Sequence, residues 1–109
     1  MKLHIDGNEV PVSWLKNDSV FALAELAPIT ISMERYGGFE QVGPLGKKIV
    51  SHDQNEITGP GDIVLYNSRN IVIFFGSNEW SYTRLGHIDL DSESLSSLLD
   101  KESVSLRIG

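Results

Sequence analysis

Apolar and polar positions alternate from the start of the chain. Leu3 and Ile5 are interleaved with Lys2, His4 and Asp6; after Asp6-Gly7-Asn8, the residues Val10, Val12 and Trp14 are interleaved with Glu9, Pro11 and Ser13. A period of two puts one set of side chains on one face of a strand, and Asp-Gly tolerates the positive φ of a tight turn. The segment therefore predicts a β-hairpin with an apolar face of Leu3, Ile5, Val10, Val12 and Trp14. Pro11 has no amide to donate, which predicts an edge position. The period changes at Asn17-Asp18-Ser19, side chains that cap free helix amides, and Val20, Leu23, Leu26 and Ala27 follow at spacings of three and four. Pro28 ends this short helix. Ile29, Ile31 and Met33 restore alternation, Gly37-Gly38 breaks it, and Phe39 to Val42 reads as a short extended piece before a loop at Gly43, Pro44 and Gly46. Residues 47–58 are ambiguous: Lys48-Ile49-Val50 is compatible with a strand, and Ser51 to Glu56 with a solvated loop.

Gly59-Pro60-Gly61-Asp62 is a turn, with Asp62 placed to accept backbone amides. Ile63 to Tyr66 and Ile71 to Phe75 are apolar at nearly every position, so both faces of these strands should be covered, with a helix as the natural cover of one. Trp80 to Tyr82 reads as extended and Arg84 to Leu90 as a further strand. Asp91 caps a second helix, with Glu93 in its first turn and a stripe of Leu95, Leu98 and Leu99. Val104, Leu106 and Ile108 form a last strand, suited to pair with the first hairpin. The sum is a mostly β fold of about eight strands and two short helices. Eight strands can close into a barrel filled by side chains, which removes exposed edges.

Composition narrows what such a barrel does. A chain of 109 residues fits one domain. Its net charge is −6, from nine basic and fifteen acidic side chains, and Lys47-Lys48 is the only basic pair. Nucleic acid binding needs a concentrated positive face, and an anionic membrane repels this chain, so neither partner is expected. Without cysteine there is no disulfide, thiolate nucleophile or Cys-based zinc site. No apolar run exceeds five residues, and Met1 to Asp6 do not resemble a signal peptide. The expected location is cytoplasmic, or exported if a leader has been removed.

Three segments carry a family likeness. "ITISMERYGGFEQVGPLG", "PGDIVLYNSRNIVIFFGSNEWSYTRLGHID" and the opening hairpin with "NDSVFALAELAPITI" resemble the small bacterial cyclophilin-like proteins, in the same order and over roughly residues 3–108. The resemblance implies a closed eight-stranded cyclophilin-like barrel with helices covering its ends. It does not extend to the prolyl isomerases themselves. Their Phe-His-Arg motif is absent, Arg35 follows Ser32-Met33-Glu34, and Gln41 and Phe39 lie in "GGFEQVG" at the wrong spacing. None of the isomerase's catalytic residues carries over.

The strongest candidate site is aromatic. Trp80, Tyr82 and Arg84 share one face of a strand, while Tyr36 and Phe39 flank the Gly37-Gly38 break. If the two segments meet, they form an apolar shelf with one cation, a cradle for a peptide, a proline ring or a small ligand. The competing reading is packing: these aromatics fill the barrel mouth and Arg84 pairs with a carboxylate such as Glu34. His4, His52 and His87 lack metal-ligand spacing, so no metal and no cofactor is expected. No Gly-x-Ser-x-Gly elbow is present. The pairs Glu34/Glu40 and Asp89/Asp91 suit acid–base chemistry only if burial raises one pKa, and their sequence neighbours look solvated. These readings favour a monomeric or weakly oligomeric binding module with a shallow aromatic groove. The alternatives are a diverged prolyl isomerase using Arg84 as donor and a structural or oligomer-forming domain.

Overall fold

In the computed structural model, which describes residues 1–109, the alternating segments become ten strands. In chain order these are β1 (Leu3–Ile5), β2 (Asn8–Val10), β3 (Val12–Trp14), β4 (Ile29–Tyr36), β5 (Glu40–Pro44), β6 (Gln54–Thr58), β7 (Asp62–Tyr66), β8 (Asn70–Phe74), β9 (Asn78–Ile88) and β10 (Ser103–Ile108). Helix α1 (Asp18–Leu26) lies between β3 and β4, and α2 (Ser92–Leu99) between β9 and β10. The sheet runs β2-β1-β10-β4-β5-β8-β7-β9-β3, with β6 paired to β9 off this path. The strands at its two edges, β2 and β3, are joined through Pro11 alone, so residues 8–14 bridge the edges and the sheet forms a nearly closed barrel. The last strand does pair with the first, Leu3 opposite Ile108.

The expected eight strands become ten for two physical reasons. Proline cannot donate to a ladder, so the run from Asn8 to Trp14 changes partner at Pro11: its first half pairs with β1, its second with β9. The Pro11 carbonyl still accepts from the Asp89 amide at 2.9 Å. The second addition is β6, in a segment read as loop. It pairs only with β9 and is largely exposed, so no buried face imposes alternation on it. Lys48-Ile49-Val50 does not form a strand; Ile49 instead buries its side chain in the core, and its amide donates to the Ser68 carbonyl at 2.9 Å. Trp80–Tyr82 and Arg84–Leu90, read as separate pieces, belong to one strand. β9 pairs with β6 along Asn78–Tyr82 and with β7 from Thr83 onward, with a bulge where the partner steps from Arg84 to Gly86 as β7 goes from Val64 to Ile63. A bulge bends its strand and increases local twist.

Both helices begin where their caps place them. The Asn17 side chain accepts from the Val20 amide at 2.9 Å, and Asp91 from the Ser94 amide at 2.7 Å. Val20 and Leu23 of α1, with Leu95 and Leu99 of α2, join Leu3, Ile5, Ile63, Leu65, Ile71, Ile73 and others in a core of 21 buried residues. Both apolar helix sides are thereby committed to the interior. The second face of β7 and β8 is consequently not covered by a helix, contrary to the sequence expectation. Val64, Val72 and Phe74 on that face form a separate buried cluster with Tyr82, flanked by Phe39 and Val42. No helix is long and apolar enough to cross a membrane.

Candidate functional site

The outward cluster borders a cavity of about 590 Å³ on the outside of the barrel, contributing Tyr82 and the flanking Phe39 and Val42 to its lining. Its lining comes from five strands that are consecutive in the sheet, β4, β5, β8, β7 and β9, and from Phe39 just before β5. Tyr36 and Trp80 stand at its margins, 69% and 58% exposed. Tyr82 lies on the floor, its ring edge-on to Phe74 at 5.6 Å and to Tyr66 at 6.1 Å between centroids. Such edge-to-face contacts fix ring orientation. Asn78 donates from Nδ2 to the Tyr82 hydroxyl at 2.9 Å, and burial is the main cause of a Tyr82 pKa above the usual phenol value.

Phe39 is placed by two glycines. Gly37 turns with φ near +61°, and a Cβ there would lie 2.5 Å from the Phe39 ring. Gly76 lets the two backbones touch: its amide and that of Phe75 both donate to the Phe39 carbonyl, at 3.0 and 2.9 Å, where a side chain at 76 would strike Phe39 Cβ at 2.7 Å.

Four of the five candidate side chains, Tyr36, Phe39, Trp80 and Tyr82, line this one cavity. Arg84 does not. It follows Tyr82 on the same face of β9, but its Nε contacts Glu56 at 2.8 Å, its Nη1 Asp62 at 3.0 Å, and its Nη2 donates to the Ile57 carbonyl at 2.7 Å. The bond to Glu56 is the chief reason its pKa lies above even the usual arginine value. Glu34, proposed as its partner, is elsewhere, beside Arg35, Glu102 and Ser103. Asp62 accepts the Gly59 amide at 2.9 Å as the turn requires, and serves as an anchor for Arg84 as well.

Glu40, which the sequence analysis set aside because its neighbours looked solvated, is a residue of the site. It is 6% exposed, lines the cavity, and burial pushes its carboxyl up to about 7. Its pairing register explains why: Glu40 lies opposite Tyr36 on one side and Phe74 on the other. The signal available in the sequence was the period of two, since Glu40 and Val42 share the face opposite Gln41. Gln41 points the other way and donates to the Leu99 and Lys101 carbonyls at 2.8 and 2.7 Å. The other suggested carboxylates are ordinary. Asp89 is held below the usual range by the Ser13 hydroxyl and Asp91 by the Ser94 amide, both at the surface. No three His, Asp or Glu side chains gather in a way that could hold a metal ion.

A mostly β, nearly closed barrel is the arrangement that the sequence likeness led one to expect, and comparison with known families agrees. The profile of the cyclophilin-like family matches residues 3–109. The chain belongs to that family. Among curated proteins, none matches it significantly. Membership of the cyclophilin-like family is thus established over essentially the whole chain, and the groove's chemistry has to be argued from its own residues.

Proposed function

We propose that this cyclophilin-like chain is a binding module whose outer groove takes a small ligand or peptide. The observation that carries the reading is the pair of exposed aromatic margins, Tyr36 and Trp80, over a buried aromatic floor in a cavity of about 590 Å³. That volume suits a small molecule or a few side chains, and the lining is mostly apolar with a few polar groups to orient the guest. The isomerase alternative is disfavoured by Arg84, whose guanidinium is occupied by Glu56, Asp62 and a carbonyl outside the cavity. No basic side chain lines the groove to polarise an X–Pro bond.

The test is a screen of proline-containing peptides and small aromatic and aliphatic fragments, read by melting temperature. Binding to the native state alone raises the midpoint by mass action. At least one class should do so for the wild-type protein and fail to do so for a Tyr36→Ala/Trp80→Ala double variant. A protease-coupled prolyl-peptide assay should show no acceleration; acceleration abolished by Arg84→Ala would overturn the reading in favour of the isomerase.

A further inference from the structure

Glu40 is an anomaly in the groove. A carboxylate loses solvation on burial and normally recovers it from a cation or from several N–H donors. Here no protein group does so. None of the hydrogen bonds or ion pairs of the chain involves the Glu40 side chain; Arg35 pairs with Asp100, Arg84 with Glu56 and Asp62, and Lys101 with Asp6. Every strand packed around it presents an uncharged side chain: Tyr36 from β4, Phe74 and Asn70 from β8, Tyr66 from β7, and Asn78, Trp80 and Tyr82 from β9. The only titratable groups among these are phenols. The site thus holds one buried acid, no base and five aromatic rings in its lining.

These two features select the same kind of guest. Aromatic faces are negative and attract cations, more strongly when water is excluded. A buried carboxylate attracts the same charge and rejects anions, and the chain's net charge of −6 adds long-range attraction in the same sense. We propose that the groove binds a small organic amine as its ammonium ion, the charge met by the Glu40 carboxylate and the alkyl body by the surrounding rings. This rests on the groove being a binding site, and it names the ligand class.

The experiment compares two probes of the same shape, butylammonium and 1-butanol, by NMR of the Trp80 indole, assigned with a Trp80→Phe variant. Butylammonium should produce saturable shifts at pH 8, with 1-butanol at least about tenfold weaker. The amine keeps its proton from pH 8 to 6 while Glu40, titrating at about 7, loses most of its charge. Butylammonium affinity should fall about tenfold over that interval, and butanol affinity should not change. Glu40→Gln, close in shape, should abolish both the preference for the amine and its pH dependence. Equal binding of the two probes, or a preference that survives Glu40→Gln, overturns the amine assignment and leaves the groove as a site for a neutral guest. Neither probe shifting Trp80 also overturns it; if the peptide and fragment screen is silent as well, the binding reading falls with it.

Discussion

Ile63, Leu65, Ile71 and Ile73 point into the barrel, while Val64, Val72 and Phe74, interleaved with them on the same two strands, point out. All seven are fully buried, yet the two faces are buried by different means. The inward set meets the remaining barrel strands and two helices, in one cluster of 21 buried residues dominated by aliphatic side chains. The outward set meets only side chains that lean over it from β5, β9 and the turn before β5, and that cover leaves a cavity. Aliphatic groups with well-defined rotamers fill an enclosed space; aromatic groups with a polar tip suit a boundary with water. The same strands thus supply a stabilising core on one side and a small buried cluster beside the proposed groove on the other.

The contrast makes graded predictions. The largest effect belongs to the inward face: Ile73→Ala should cost about 3–4 kcal/mol in urea unfolding, because the closed interior cannot collapse onto the hole. A loss under about 1 kcal/mol would show that the two faces are equally loose. The next effect belongs to the groove and has the opposite sign. Glu40 carries a higher pKa folded, about 7, than its ordinary value of 4.5, so the native state binds the extra proton between those values. Stability contributed by the neutral carboxyl is complete below pH 4.5, falls as pH rises toward 7, and is lost above it, by up to about 3 kcal/mol. Glu40→Gln should therefore be more stable than wild type at pH 8 and nearly equal at pH 4, by denaturant titration at both. The smallest effect is at the margin. Trp80→Ala should change stability by less than about 0.5 kcal/mol, as for a surface side chain, while removing ligand-induced stabilisation. A large loss of melting temperature would instead make Trp80 part of the packing.

Much of the barrel was legible along the chain. Alternation at Leu3–Ile5, Ile29–Met33 and Val104–Ile108 marked strands, Asn17 and Asp91 marked helix starts, and unbroken apolar runs marked β7 and β8 as buried on both sides. Those are local properties, set by backbone period and by which side chains can cap an amide. The exposed ribbon strand β6 escaped notice because a strand with no buried face carries no period.

What covers the second face of β7 and β8 was decided only when the sheet closed. The helices had the right amphipathic spacing to cover it, but their apolar sides were used by the interior. Tyr36, Phe39, Trp80 and Tyr82 could be singled out from local spacing; that Tyr66 and Asn70 would join them, and that Arg84 would turn away to Asp62 and to Glu56, 28 residues distant, depended on partners far along the chain. Glu40 is the clearest case. Its immediate neighbours, Phe39 and Gln41, say nothing of its burial, which comes from the antiparallel register that sets it between Tyr36 and Phe74. Local sequence determines where a chain can be strand or helix; the solvation of a particular carboxylate depends on cross-strand neighbours, and only the assembled sheet chooses those.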